Sequence, residues 1–290
     1  MNFEVATENL SESTIGKLKY RKICEKQNKE VKVKLETSEL QIVDLDVRLV
    51  DICALPNQTL LCANSKPWNL TLYDEHFSHI RTVNQINHRE IKPLSITTDE
   101  KNLIFIACID EIIETDLEFN ELFKCGSKGT EIEQFSYPSC ITFANNYLYV
   151  CDRNNKRIQK LFVSNSFEIH FVENFMLSYK PDQIKVSNEL ACVRKFNYNS
   201  IYFYDLLSFE FKFKYDNLYG AISEIDSVFY VCDSLSTTIY CYDQNGFLLN
   251  TIRNNNFKEL MNNAGLSNGK IISFNKSVII SDNTKLFRFV

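Results

Sequence analysis

The chain has 290 residues, 44% of them hydrophobic and 13% aromatic, with a net charge of −5 and a pI near 5.5. That is ample apolar material for a packed core in one or two domains, and the acidic balance weakens a general nucleic-acid role. No run approaches the roughly 18 apolar residues of a membrane span. The start, Met1-Asn2-Phe3-Glu4-Val5, has neither the basic stretch nor the apolar run of a secretory signal.

Residues 1–30 are rich in Lys, Glu, Ser and Thr and poor in apolar residues, which predicts a flexible or helical arm. From residue 31 to 290 an outline repeats. A small residue closes an apolar run at Ala63, Cys108, Cys151, Cys192, Cys232 and Ser281, with spacings of 45, 43, 41, 40 and 49. The runs before it include Leu103-Ile104-Phe105-Ile106, Tyr147-Leu148-Tyr149-Val150 and Val228-Phe229-Tyr230-Val231. Such continuous runs suit strands buried on both faces. Units of about 40–45 residues made of short strands predict an all-β, six-bladed β-propeller with four-stranded antiparallel blades.

Outer strands should alternate instead. Phe209-Glu210-Phe211-Lys212-Phe213-Lys214-Tyr215 and Phe167-Glu168-Ile169-His170-Phe171 do so. Asp243-Gln244-Asn245-Gly246-Phe247 reads as a hairpin turn. The stretch 256–265 reads as one short helix with a glycine stop. The last unit ends at the third strand, Lys285 to Val290. An N-terminal strand, from 32–35 or 40–45, is expected to supply the fourth and close the ring.

Four of the ten cysteines sit one per repeat at Cys108, Cys151, Cys192 and Cys232, and no C-x-x-C occurs. Equivalent places on different blades are too far apart to bond, so free buried thiols and a reducing, cytoplasmic setting are expected. His76 and His79 form H-x-x-H in a polar turn, short of the three or four ligands a zinc site needs. Asp110, Glu111, Glu114, Asp116 and Glu118 read as a solvated acidic hairpin. No metal or cofactor is expected. G-x-S-x-G and P-loop patterns are absent, and no enzyme is expected.

At Tyr149-Val150-Cys151-Asp152 and Asn155-Lys156-Arg157-Ile158 the chain resembles an NHL repeat, with Lys156 in the histidine place. Val231-Cys232-Asp233 and Ile280-Ser281-Asp282 keep the strand end and the aspartate; Asn64, Ile109 and Val193 stand where the other units would have it. The resemblance covers roughly residues 45–290. It implies the NHL propeller fold and three kinds of role. One is protein or single-stranded RNA recognition, as in the propellers of tripartite-motif ubiquitin ligases. The others are lyase and lactonase-like chemistry near the axis. The RING and B-box pattern is not in this sequence, so any ligase module would be on another chain.

Asp152 and Arg157 are expected to brace their hairpin as an ion pair. Arg153 and Lys156 in one unit, Arg194 and Lys195 in the next, and Trp68 in the first all follow the marker by a few residues. Propeller symmetry should put them on one loop face. The leading expectation is a noncatalytic module, likened to the substrate-recognition part of a ubiquitin-ligase system, that binds a protein or peptide there. The alternative is single-stranded RNA, held by cations and stacked on aromatics such as Phe196 and Tyr198. DNA and membrane are not expected as partners. A monomer is expected unless the arm associates.

Overall fold

The computed structural model describes residues 18–20, 33–35, 40–45, 47–99, 101–164, 168–187, 189–197, 200–216, 218, 220–233, 238–253, 270–274, 277–281 and 285–289. None of these is helical; the helix expected over 256–265 lies outside them. The chain is an all-β propeller of antiparallel four-stranded blades.

Five blades take four consecutive strands each. The first holds Leu49–Ala54, Leu60–Ser65, Trp68–Tyr73 and His79–Val83. The second holds Ser95–Thr98, Ile104–Ala107, Ile112–Thr115 and Glu121–Cys125. The third holds Pro138–Ala144, Tyr147–Asp152, Arg157–Val163 and Ile169–Met176. The fourth holds Pro181–Ser187, Leu190–Lys195, Ser200–Asp205 and Phe211–Asp216. The fifth holds Ile222–Ile225, Val228–Asp233, Thr238–Tyr242 and Leu248–Arg253. A further sheet joins Lys270–Phe274, Ser277–Ser281 and Lys285–Phe289 to Leu40–Asp44, with Leu40 opposite Phe289. Val33–Leu35, the other candidate for that edge, pairs instead with Leu18–Tyr20 of the expected arm.

The second strands show why their sequences run apolar without a break. Leu61 and Ala63 pack toward Ile104 and Ile106 of the second blade, while Leu60 and Cys62 pack toward Ile279 and Leu286 of the last sheet. Phe105 and Ala107 meet Leu148 and Val150; Tyr149 and Cys151 meet Ala191 and Val193; Leu190 and Cys192 meet Phe229 and Val231. Odd and even residues serve opposite seams, so alternation in sequence disappears. The eight cysteines whose side chains are described carry free thiols. Burial pushes those of Cys53, Cys108, Cys125 and Cys241 up to about 12, far from the reactive thiolate.

The first strands touch in cyclic order, and Lys270–Phe274 touches Leu49–Ala54 again. Side chains stitch them together. Asp51 Oδ2 accepts from the amide of Ile96, and Ser95 Oγ from that of Ile141. Cys140 Sγ donates to the carbonyl of Ile184, and Gln183 Oε1 accepts from the amide of Ile222. These contacts fix equivalent positions. Opposite Asp51, Ser95, Cys140 and Gln183 stand Ala63, Ala107, Cys151 and Arg194. The repeat marker in the second and fourth blades is therefore Ala107 and Arg194, not Cys108 and Cys192.

The acidic hairpin also needs correction. Ile112–Thr115 is a third strand, buried throughout, and Glu114 has no solvent exposure. In the fifth blade the turn at Asp243 forms as its sequence suggests. Asp243 Oδ1 accepts from the amides of Asn245 and Phe247, both at 2.8 Å, and Gly246 takes φ +78°.

Candidate functional site

In an antiparallel blade the second-to-third loop and the connection to the next blade lie at the same end. That end is the loop face. Its best-defined part is the hairpin Asp152–Arg157 of the third blade. Asp152 is fully buried: Oδ1 accepts from the amide of Ser136 at 2.8 Å. Oδ2 accepts from Arg157 Nε at 2.7 Å, Asn155 Nδ2 at 2.8 Å and Gln159 Nε2 at 3.2 Å. Arg157 also donates to the carbonyls of Thr130, Glu131 and Gln134 at 2.7–2.8 Å. The pair therefore braces the hairpin and ties it to the connection from the second blade.

With Arg157 consumed, Arg153 and Lys156 are the cations this turn has left. The Arg153 guanidinium lies 3.1 Å from the ring centre of Phe196 and 5.0 Å from that of Tyr137. Asp182 Oδ1 is 3.7 Å away, and the Arg153 side chain is 16% exposed. Burial draws this guanidinium below its ordinary value, and Asp182 opposes the shift. Lys180 Nζ donates to Asn154 Oδ1 at 3.2 Å, and the amide of Phe196 bonds the carbonyl of Lys180 at 2.9 Å. Lys156 is exposed, and its carbonyl accepts from Leu177, next to the exposed Met176. Lys195 Nζ sits 5.8 Å from the ring centre of Tyr179. Arg153, Lys156 and Lys195 thus gather at the seam between the third and fourth blades.

Arg194 joins them only from below. Its side chain is 7% exposed, donates to the carbonyl of Gly220 and pairs with Asp182. It occupies the strand place of Cys151, which the two-residue slip of the marker concealed. A slip of two keeps every side chain on its own face, so the apolar pattern gave no warning. Trp68 is not brought to this seam. It is half-buried in the first blade and lines a separate 350 Å³ cavity with Asn84, Gln85, Glu90, Ile91 and Lys92. Tyr137, Met176 and Lys180 escaped the sequence reading because it followed only second-to-third loops. The connections between blades carry the other half of this face.

The opposite end holds a 560 Å³ axial cavity lined by first-to-second strand turns from five blades. Two carboxylates line it. Asp99 Oδ1 accepts from the amides of Lys101 and Leu103, and Glu224 Oε1 from that of Ser227. Each holds its own turn. Burial raises the Glu224 carboxyl above its ordinary value. Among the described residues, no group of three or more His, Cys, Asp or Glu side chains converges to hold a metal.

Residues 135–161 match the NHL repeat, a stretch that contains Asp152, Arg153, Lys156 and Arg157. The third blade carries an NHL repeat. No curated protein matches the chain in sequence. Among solved structures, streptogramin B lyase is 13% identical, with 86% of this chain and 96% of that one covered and a TM-score of 0.58. A catalytically inactive virginiamycin B lyase from Staphylococcus aureus, with quinupristin, is 10% identical over 86% and 98%, with a TM-score of 0.59. The WD40 domain of Neurospora crassa Pan2 is 10% identical over 81% and 73%, with a TM-score of 0.58. Identities this low make the likeness one of fold: the NHL blade belongs to a propeller whose architecture lyases and WD40 proteins share.

Proposed function

We propose that the chain is a six-bladed ring, closed by Leu40–Asp44, that works as a noncatalytic interaction module and binds a protein or peptide on its loop face. The cyclic contacts of the first strands support the ring. One observation carries the function: the seam of the third and fourth blades exposes Tyr137 and Met176, at 38% and 69%, among Arg153, Lys156 and Lys180. Aromatic, methionine and arginine side chains are the residues enriched at protein interfaces. The buried free thiols support work in a reducing compartment such as the cytoplasm. A place in a ubiquitin-ligase system, as its substrate-recognition part, rests on the NHL resemblance.

The test is capture from cell lysate, with and without nuclease. The doubly reversed variant Lys156→Glu/Lys180→Glu should lose the captured protein. Lys101→Glu, in a first-to-second strand turn at the other end, should keep it. Loss of capture on nuclease treatment would favour RNA. Capture unaffected by the double variant would place the site elsewhere.

A further inference from the structure

We infer that the partner of this face is an acidic protein segment whose carboxylates dock at the seam of the third and fourth blades, in front of Arg153. The inference rests on the loop-face reading above and adds the chemistry of the ligand.

Local charge is the first argument. Two guanidiniums, Arg153 and Arg194, share one carboxylate, Asp182. Lys156 and Lys180 add two exposed cations, and the partner of Lys180 is a neutral amide oxygen. The next carboxylate along, Asp216, already pairs with Lys214 at 2.8 Å. Asp152 is consumed by Arg157. A chain of net charge −5 thus concentrates unmatched positive charge at one seam. Such a patch selects and steers an anionic partner.

Preorganisation is the second. The Arg153 guanidinium lies over the rings of Phe196 and Tyr137. Its N–H edge is the part that binds a carboxylate, as a fork. An arginine already fixed in place loses little side-chain freedom when the ligand arrives.

The Phe196 ring argues for peptide over RNA. Sequence-tolerant RNA binding needs aromatic faces open for bases to stack on. Here Phe196 gives a face to Arg153 at 3.1 Å, and Tyr198 lies outside the described residues. Met176, 69% exposed beside the Lys156 turn, offers a soft apolar contact instead.

The probe is a fluorescein-labelled octapeptide of glutamates with one central leucine, followed by anisotropy. A lysine octapeptide and a uridine octanucleotide serve as comparisons. The glutamate peptide should bind best, and its affinity should fall as salt rises. Lys156→Glu/Lys180→Glu and Arg153→Lys should each weaken it at least tenfold; the latter keeps the charge and loses the fork. Lys101→Glu should not. Thermal melts establish that each variant is folded. Absence of binding at low salt, equal binding by the variants, or tighter binding of uridine would overturn the inference. If the peptide fails while the double variant still loses its captured lysate protein, the acidic partner falls and the loop-face reading stands. If neither responds, both fall.

Discussion

Asp152 and Glu114 are both fully buried carboxyls, in adjacent blades, and they are opposites. Asp152 receives four donors, one of them a guanidinium that goes on to grip the connection from the second blade. Glu114 has no hydrogen-bond partner for either oxygen among the described residues. It lies on its strand opposite Phe105 and Phe123. Burial, reinforced by Asp99, pushes its carboxyl up from 4.5 to about 7. An acid inside a propeller blade is thus either the hub of a loop or a proton holder, and its donors decide which.

The largest expected effect comes from breaking the hub. Asp152→Asn sets an amide against donors and leaves Arg157 buried without its counter-charge. It should cost about 3–5 kcal/mol in urea unfolding. A cost below about 1 kcal/mol would mean that the pair is not the brace.

Glu114→Gln should act the other way. At pH 4 the acid is protonated folded and unfolded, so wild type and variant should differ little. As pH rises from 4.5 the unfolded chain gives up its proton first, and wild-type stability falls until about pH 7. At pH 8 the variant should therefore be more stable by up to about 3 kcal/mol, with a flatter pH profile. Equal slopes for both proteins would remove Glu114 as the cause.

The first blade sharpens the comparison with a neutral hub. Asn64, Asn69 and Thr71 hold the places of Asp152, Arg157 and Gln159. Asn64 Nδ2 donates to Asn69 Oδ1 at 2.8 Å and to Thr71 Oγ1 at 2.9 Å. Asn64→Ala should cost about 1–2 kcal/mol, because no buried charge is orphaned. A loss as large as that of Asp152→Asn would show that hydrogen bonding, not charge, sets the scale.

The smallest effect belongs outside any hub. Gly246→Ala puts a methyl 1.8 Å from Phe213 Cζ at a positive φ and a buried position, which the half-buried Phe213 ring relieves in part by shifting. About 1 kcal/mol is expected in a thermal melt.

Much of the scaffold was legible because packing writes it plainly. Leu60, Leu61, Cys62 and Ala63 are all buried, as an unbroken apolar run implies. The Asp243 turn was legible because Asn-Gly has few other uses. Glu114 was not, since a lone acid among acids reads as surface; only the blade next door shows that its strand is covered on both sides. Arg194 misled for a related reason. Apolar spacing fixes the face of a strand residue but not its place along the strand. The inter-blade bonds of Asp51, Ser95, Cys140 and Gln183 fix that place, and they join residues 39 to 46 positions apart.

The pairing of Leu40 with Phe289 spans 249 positions of chain. At about 5–20 residues per second, a ribosome makes the first strand of that sheet roughly 12–50 s before its partner exists. Until then five blades can assemble, but Leu40–Asp44 remains a bare strand edge, open to pairing with another nascent chain. The propeller is therefore most exposed to misassembly during synthesis. Stalled chains ending before residue 285 should be cut by protease within 40–44, and released full-length chains should be protected there.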